Sequence, residues 1–321
     1  MQTLKISYLW FINFESTVLF SLVKLLSKKK IEFVVPEKAD LIFIGPYDHF
    51  SFKRYCLNTI LKKTPWLNFF NNLDLYLLNR KMKPLRIFCT SEPIQYNAIK
   101  ADYYISSNPG LDSSNHLRLP LWKESIDWTS EGCFREKNMK HSNAVRFGKF
   151  HLIEDLSIPQ GDAFLKKKGM CIFSSHLHNE RKIIYSQFNK HLGVKGFGSC
   201  FDPTIKNHNS SNFFKIDIMK NFSFNLCPEN SLHPGYYTEK IVDAFDGKCL
   251  PVTWADKNVQ FDLNKNAFVN LVDYNFDNLK EVAELLKDHL FLKKFSKEPL
   301  LTKMPNLEKE KSFIAKILSQ I

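Results

Sequence analysis

No two of the seven cysteines in this 321-residue sequence form a C-x-x-C pair. An odd and scattered set of this kind argues against a disulfide framework or a zinc site and predicts reduced, buried thiols, as in a cytosolic protein. His176 and His178 have no cluster of ligand-type residues nearby, so we interpret them as loop or strand histidines and predict no metal site. The cysteines are Cys56, Cys89, Cys133, Cys171, Cys200, Cys227 and Cys249.

Long apolar runs are also missing. The stretch Tyr8–Phe14 contains Asn13, and the stretch Val18–Leu26 is interrupted by Ser21 and Lys24. Neither approaches the roughly 18 apolar residues that a membrane-spanning helix requires, and neither has the form of a secretory signal. The sequence therefore predicts a cytoplasmic protein, which could rest peripherally on the inner face of a membrane.

The basic residues outnumber the acidic ones and give a formal net charge of +12. Such a field attracts anions: nucleic acid, phosphorylated substrates or an acidic membrane surface. The lysines are spread along the chain, however, and their longest run is Lys28–Lys30. Because nucleic-acid-binding proteins more often gather their cations in a stripe with stacking aromatics, this pattern disfavours direct binding of DNA or RNA.

Short apolar runs alternate with helical patterns in two series, which are separated by a polar stretch between Trp122 and Asp162. In the first series, strands are predicted at Leu4–Trp10, Ile31–Val35, Asp40–Ile44, Leu85–Cys89 and Asp102–Ile105, and a helix at Ser16–Ser27. In the second, strands are predicted at Gly169–Phe173, Phe222–Cys227 and Cys249–Trp254, and helices at Asn179–Leu192 and Thr238–Asp246.

The two series predict an α/β protein with two doubly wound, Rossmann-like domains that face each other across a central cleft. We place these domains at residues 1–155 and 156–300, followed by a C-terminal helix at 301–321. Ile314 and Ile317 fall on one apolar face of that helix. This face favours packing on the body of the protein over contact with a membrane.

The stretch Phe222–Trp254 is the most informative part of the sequence. Its loop Pro228–Tyr237 follows a strand and is rich in polar and turn-forming residues. In the helix after it, Thr238 suits the N-cap position and Glu239 suits the positive helix end. Lys240 opposes the helix dipole there, by roughly 0.3–1 kcal/mol. A bound phosphate would remove this conflict, whereas the alternative is a lysine whose head reaches water.

The run FNLCPEN…GYYTEKIVDAF…LPVTW within this stretch resembles the donor-binding motif of the α1,3/4-fucosyltransferase family, especially of its bacterial members. The resemblance implies a two-domain GT-B fold, a GDP-fucose donor and an inverting mechanism. It further implies that Asn230 and Tyr236 hold the nucleotide and that Lys240 binds the diphosphate. Glu239 would accept hydrogen bonds from hydroxyl groups of the ribose or the fucose.

The sequence departs from the bacterial members at two places in the loop. Pro228 stands where an aromatic residue is more usual, and His233-Pro234 lies in a stretch that is commonly rich in Gly and Tyr. These departures weaken the inference about which sugar is bound more than the inference that a nucleotide is bound.

A second match is the run SSHLHNERKIIYSQ at Ser174–Gln187. Arg181 falls where the family places an arginine on the diphosphate, and a planar, permanently charged guanidinium suits two phosphates that must be neutralised as GDP leaves. The alternative is a surface arginine on a helix. The glycine run Gly193–Ser199 would by the same resemblance be a loop near the donor, although turn geometry explains it equally well.

A third match is RIFCTSE at Arg86–Glu92. Glu92 takes the place of the family's proposed catalytic base, at the carboxyl end of a predicted strand. A carboxylate within reach of the acceptor hydroxyl, with its pKa raised by partial burial, can remove the hydroxyl proton. The alternative is a solvated turn glutamate before Pro93.

The resemblance thus implies a single displacement, in which Glu92 deprotonates the acceptor while Arg181 and Lys240 stabilise the departing GDP. Glu239 is assigned to both the catalytic and the donor-binding residues. Residues 1–155 would bind the glycan acceptor and residues 156–300 the GDP-sugar. Because no D-x-D triplet occurs, no metal cofactor is expected to be required, although a divalent cation could stimulate the reaction.

The expected product carries L-fucose, α1,3-linked to a GlcNAc-type sugar of a lipopolysaccharide or a similar surface glycan. Three alternatives stay open. They are a transferase for another GDP-deoxysugar of the perosamine type, a non-catalytic module that binds a nucleotide or a glycan, and a nucleic-acid-binding protein suggested by the charge alone.

Overall fold

The computed structural model of the chain describes residues 2–9, 11, 14–46, 84–90, 92–111, 113–135, 150–202 and 212–321. The chain divides into two compact units. The first contains Met1–Ser106, Gly110–Leu119 and Glu308–Ile321, and the second contains Ser107–Pro109 and Pro120–Leu307.

The first unit is built on a parallel sheet. Its described strands are β1 (Thr3–Leu9), β2 (Lys30–Phe33), β3 (Leu41–Ile44), β4 (Leu85–Thr90), β5 (Tyr103–Ser106) and β6 (His116–Arg118). They lie in the order β2-β1-β3-β4-β5-β6, and every pair is parallel. All four residues of β3 are buried, as is typical of a parallel strand covered on both faces. The five strands predicted here are confirmed, and β6 is an additional one.

The C-terminal helix, Glu308–Leu318, returns to this first unit and packs against the helix Val18–Leu26 and against β6. Its residues Ile314 and Ile317 are buried, so the prediction of a helix packed on the body is confirmed. Of the helices in the described part of the chain, none combines the length and the apolar character needed to cross a membrane.

The second unit also has a parallel sheet. Its described strands are β7 (Met170–Phe173), β8 (Val194–Phe197), β9 (Phe224–Leu226), β10 (Leu250–Thr253) and β11 (Val269–Asn270), in the order β11-β10-β9-β7-β8. Its described α-helices are Ile153–Leu156, Glu180–Leu192, Asn212–Met219, Lys240–Asp246, Leu279–Leu285 and His289–Phe295. Ile172 and Leu226 from two strands share a core with Ile184 and Phe188 of the helix Glu180–Leu192.

One predicted helix is divided in two. The apolar pattern predicts a single helix over Phe276–Leu292, but helices run at Leu279–Leu285 and His289–Phe295. The carboxylate of Asp288 accepts the backbone N–H of Leu290 at 2.8 Å and so caps a new helix in the middle of the predicted one.

The division between the units differs from the sequence-based boundary at residue 155. Residues from Pro120 onward belong to the second unit. Two features hold this segment there: the indole of Trp122 is buried and donates to Asp262 at 3.0 Å, and Ile126 forms a bridge with His151. The stretch looked like a linker because most of its residues are polar. A single buried tryptophan nevertheless contributes a large apolar contact area, so Trp122 is enough to attach the segment to the second unit.

Six cysteines fall within the described residues, and all six are free thiols. Five are buried, as predicted for reduced structural cysteines, while Cys200 is exposed. Cys56 lies outside the described residues.

Candidate active site

Three segments of the second unit meet at the carboxyl edge of its sheet. Strand β7 leads into Ser174 and the helix Glu180–Leu192, which we call the arginine helix. Strand β9 leads into residues 227–239, which we call the site loop. The backbone N–H of Glu229 donates to the carbonyl of Trp254 at 3.0 Å, so the loop is also fixed to the end of β10. Ligands of doubly wound sheets bind beyond this edge.

Arg181, Asn230 and Tyr236 lie together in a continuous chain of hydrogen bonds. Arg181 Nη1 donates to Asn230 Oδ1 at 2.9 Å, and Arg181 Nη2 donates to Ser174 Oγ at 2.7 Å. Asn230 Nδ2 in turn donates to the hydroxyl of Tyr236 at 3.2 Å. The structure therefore brings together three of the residues predicted to bind the donor, and it shows Arg181 engaged at the site instead of lying free on a surface.

The charge of Arg181 is held in a partly desolvated place. Burial lowers the pKa of its guanidinium, and the nearby carboxylate of Glu229 opposes that shift. Because the pKa of an arginine is ordinarily very high, the guanidinium stays protonated at neutral pH despite this shift. The result is a positive charge that water screens less than it would on an open surface.

Lys240 is bound by a buried acid that sequence analysis did not single out. Its ammonium donates to Glu229 Oε2 at 2.5 Å and to Thr238 Oγ1 at 2.9 Å. Glu229 has 0% of its surface exposed. The conflict between Lys240 and the helix dipole is therefore resolved inside the protein by a carboxylate, and it does not by itself indicate a bound phosphate.

The start of the helix Lys240–Asp246 also differs from expectation. Glu239, not Thr238, occupies its N-cap position, without a side-chain capping bond. Thr238 instead donates its backbone N–H to Glu229 at 2.8 Å, and its hydroxyl to the same carboxylate at 3.0 Å. Glu239 is buried, with 7% of its surface exposed. Thr238 is thus part of the site rather than a simple helix cap.

Three buried polar atoms at the site have no hydrogen-bond partner within the described residues. They are Arg181 Nε, Ser231 Oγ and His233 Nδ1. Buried polar atoms are nearly always paired, and these three atoms all lie in the site loop or beside it.

Close backbone packing fixes the shape of the site loop. Gly235 has φ +77°, and a Cβ atom at this position would lie 2.1 Å from the carbonyl oxygen of Ser107. Its N–H donates to Asp256 Oδ1 at 2.9 Å. A residue with a side chain fits neither the dihedral angle nor the space, so the sequence requires glycine here.

The glycine run after the arginine helix packs within the protein. A Cβ atom at Gly196 would lie 2.2 Å from the ring of Phe201, and one at Gly198 would lie 2.5 Å from the carbonyl oxygen of Ser174. The two explanations left open for this run were a loop near the donor and turn geometry, and neither included the close internal packing that the structure shows at Gly196 and Gly198.

Glu92 belongs to the first unit, just after β4. Its N–H donates to the hydroxyl of Thr90 at 3.2 Å, and its carbonyl accepts from Ile94 at 2.7 Å. The backbone therefore turns tightly at the carboxyl end of the strand, and Glu92 is half-buried. Its placement opposite Arg181 and Lys240 stays a prediction.

His176 and His178 stack on each other with ring centroids 5.8 Å apart. Within the described ranges, no group of three or more His, Cys, Asp or Glu residues is arranged to hold a metal ion.

Comparison with known sequences shows what the part of the chain that contains the site resembles. Residues 164–296 match the model of glycosyltransferase family 10 (fucosyltransferase) C-term. The α-(1,3)-fucosyltransferase FucT of Helicobacter pylori is 28% identical over 230 residues, which are 64% of this chain and 44% of that protein. The 4-galactosyl-N-acetylglucosaminide 3-α-L-fucosyltransferase 9 of Homo sapiens is 26% identical over 127 residues, 38% of this chain and 33% of that protein. The matched part of the chain, residues 164–296, is therefore similar to the C-terminal part of fucosyltransferases. The chain spans less than half the length of these two relatives.

Solved structures agree with the fucosyltransferase fold. A crystal structure of an α1,3-fucosyltransferase with GDP-fucose covers 99% of this chain and 91% of its own, with a TM-score of 0.66 and 22% identity. A second structure of an α1,3-fucosyltransferase covers 99% of this chain and 90% of its own, with a TM-score of 0.67 and 23% identity. The prediction of a two-domain α/β fold of the GT-B class is confirmed, while the central cleft stays a prediction.

The residues predicted to bind the donor, together with Glu229, fall in the part that matches the fucosyltransferase model. This part contains Arg181, Glu229, Asn230, Tyr236, Glu239 and Lys240, whereas Glu92 precedes it. Glu229 was present in the quoted run FNLCPEN but looked like a loop glutamate beside a proline. Its position could have indicated its role. Glu229 comes soon after the buried strand β9, and so it lies at the same edge of the sheet as Lys240.

Proposed function

We propose that this protein transfers L-fucose from GDP-fucose to a hydroxyl group of a glycan acceptor. The observation that carries the proposal is that two cations, Arg181 and Lys240, are bound to neighbouring residues of the site loop. Arg181 lies in a hydrogen-bonded chain with Asn230, and Lys240 lies in a second cluster with Glu229, the next residue along the loop. Fixed cations beside partnerless polar atoms are what a nucleoside diphosphate requires.

In this proposal the donor lies along the site loop. Arg181 and Lys240 bind the two phosphates, and the partnerless Nε of Arg181 gives the guanidinium a further donor for a phosphate oxygen. Asn230 and Tyr236 contact the nucleoside part. The buried carboxylate of Glu239 accepts hydrogen bonds from hydroxyl groups of the ribose or the fucose.

The reaction is a single displacement. Glu92 accepts the proton of the acceptor hydroxyl, and that oxygen forms a bond to the anomeric carbon as the bond from this carbon to the GDP oxygen breaks. The leaving diphosphate takes the electron pair, and its charge is stabilised by Arg181 and Lys240. Attack opposite the leaving group inverts the anomeric centre, so a β-linked donor gives an α-linked product.

The acceptor side of the proposal is an α1,3 linkage to a GlcNAc-type sugar, in lipopolysaccharide or a similar surface glycan. Its support is that the relatives described above are named as 3-α-L- or α-(1,3)-fucosyltransferases. Since neutralisation of the diphosphate is assigned to side chains, we expect transfer to continue in EDTA, with at most moderate stimulation by a divalent cation.

A second donor is favoured by one observation. His233 lies in a stretch that is commonly rich in Gly and Tyr in the family, and its Nδ1 is buried without a partner among the described residues. This histidine can recognise a polar group that fucose lacks, such as the amino group of a perosamine-type GDP-deoxysugar. The two donors are separated by direct comparison.

The test incubates the purified protein with GDP-fucose or GDP-perosamine and with N-acetyllactosamine-type or lipopolysaccharide-type acceptors, and detects products by mass. We expect a mass increase of one fucose residue. Turnover of only the other donor would contradict the fucose assignment.

A second experiment tests the catalytic base. Glu92→Gln should abolish transfer and keep the affinity for GDP-fucose, whereas an unchanged rate would show that Glu92 is not the base. A wild-type protein that binds GDP-fucose but never transfers the sugar would indicate a binding module.

A further inference from the structure

The carboxylate of Glu229 is the most deeply buried charge of the site. It has 0% exposure, and a buried carboxylate is unfavourable unless it is paired and hydrogen-bonded. Its side-chain partners are Thr238 and Lys240: it accepts the N–H and the hydroxyl of Thr238 at 2.8 and 3.0 Å and the ammonium of Lys240 at 2.5 Å. The carboxylate is therefore fully engaged within the protein and is not placed to touch a substrate.

The hydroxyl of Thr238 connects the two charges. It donates to the carboxylate of Glu229 and accepts from Lys240 Nζ at 2.9 Å. Carboxylate, hydroxyl and ammonium thus form a closed ring, in which the ammonium is held by two acceptors at once. A lysine head that would otherwise sample many rotamers is confined to one position.

The ring leaves part of the ammonium available. Of its three protons, two are used by Glu229 and Thr238. The Lys240 side chain is 16% exposed, whereas that of Glu229 is fully buried. A ligand oxygen can therefore reach the third ammonium proton, but it cannot reach the carboxylate.

We propose that Glu229 is a positioning residue, which holds the ammonium of Lys240 ready for the diphosphate of the donor; this rests on the proposed function. Fixing a side chain before the ligand arrives removes the cost of ordering it on binding. Glu229 acts on the donor only through Lys240. Its effect on donor binding must therefore vanish when Lys240 can no longer bind phosphate.

The competing explanation is an ion pair that serves folding alone. Such a pair would change stability when broken, but it would leave the affinity of the folded protein for GDP unchanged. The two explanations are separated by a double-mutant cycle, since an interaction between two residues appears as non-additivity.

The experiment measures GDP affinity by calorimetry for the wild type, Glu229→Gln, Lys240→Met and the double variant, each checked for folding by circular dichroism. Glutamine keeps the shape and an acceptor oxygen but loses the charge. We expect Glu229→Gln to weaken GDP binding about tenfold when Lys240 is present and less than about twofold when it is added to Lys240→Met. Glu229→Asp, which keeps the charge, should restore part of the lost affinity.

Equal losses in both backgrounds, or no loss on Glu229→Gln, would overturn the positioning role. If Glu229→Gln does not fold, Thr238→Val takes its place in the cycle, because it removes the bridging hydroxyl with little change in volume, and the same non-additivity is expected. A folded wild type that does not bind GDP would refute the proposed function and the positioning role with it. Wild-type binding with additive losses would refute the positioning role alone.

Discussion

The imidazole Nε2 of His151 lies 2.8 Å from Asp243 Oδ1, across 92 residues of sequence. Its Nδ1 lies 2.8 Å from Asp246 Oδ2, so one ring bridges two carboxylates of the helix that begins at Lys240. Lys215 donates to the other oxygen of Asp243 at 2.5 Å. Two cations and two carboxylates balance in this buried cluster while His151 is protonated.

The first prediction concerns the pH dependence of stability. Burial lowers the pKa of His151, but the hydrogen bonds to Asp243 and Asp246 and their charges outweigh it and raise this pKa to about 9. In the unfolded chain the pKa is near 6.5. The stabilisation is therefore complete below about pH 6.5 and is lost as the pH rises through about 9, on the order of 3 kcal/mol in total. Urea unfolding across this range measures it.

The control removes the titrating group. His151→Gln should lower the free energy of unfolding at about pH 6 and flatten the decrease toward alkaline pH, whereas His178→Gln, an exposed histidine, should leave the curve as in the wild type. A wild-type curve that matches the His151→Gln curve between these pH values would contradict the assigned protonation.

This cluster shows what the sequence could not predict. Strands β7, β9 and β10 could be located because each is a short apolar run bounded by turn residues, and that signal is local. The partners of His151 and Glu229 come from the tertiary fold. A histidine in a polar stretch and a glutamate after a proline both look solvated until the segment that covers them is known.

The candidate site was predicted in part for the same reason. Arg181, Asn230 and Lys240 could be named because they fall in runs that resemble a family, and the structure brings Arg181 and Asn230 into contact. The internal acid that binds Lys240 was missed, and so was the attachment of Trp122 to the second unit, because both depend on contacts between distant parts of the chain.

The second prediction tests the fixed shape of the site loop. Gly235→Ala would place a Cβ atom 2.1 Å from the carbonyl oxygen of Ser107 and 2.7 Å from Pro109 Cδ. The backbone must shift, so we expect a loss of roughly 1–3 kcal/mol of stability and at least about a tenfold loss of GDP affinity. Thermal melts and calorimetry measure the two effects.

Gly161→Ala is the matched control for this substitution. Gly161 also has a positive φ, +60°, but no atom lies within 4 Å of its Cβ position. It should lose some stability through backbone strain alone and keep its GDP affinity. If both variants lost affinity equally, close packing at Gly235 would not be the cause.

The third prediction concerns the geometry of Arg181. Arg181→Lys keeps the charge but cannot reach both Asn230 and Ser174, which the two terminal nitrogens of the guanidinium contact at 2.9 and 2.7 Å. We expect kcat/KM to fall about a hundredfold, because the leaving diphosphate loses a fixed donor. The exposed neighbour Lys182 provides the control, and Lys182→Ala should change kcat/KM less than about twofold. An unchanged kcat/KM in Arg181→Lys would show that the positive charge alone is sufficient at this position, and a similar loss in both variants would show that the effect is not specific to Arg181.

The last prediction concerns a strained residue beside the site. Asn179 precedes the arginine helix with φ 50° and ψ −130°, and its side chain makes no capping bond. This backbone region suits glycine, and a residue with a Cβ atom is held there at a cost of about 1–3 kcal/mol. If the strain has no role in binding, Asn179→Gly should raise the melting temperature and leave GDP affinity unchanged. A more stable protein with weaker GDP binding would contradict this expectation.

Asn179→Ala is the control, since it keeps the backbone strain and removes the side-chain amide. We expect its affinity for GDP to be unchanged. A loss of affinity in both Asn179→Ala and Asn179→Gly would instead show that the amide contacts the donor.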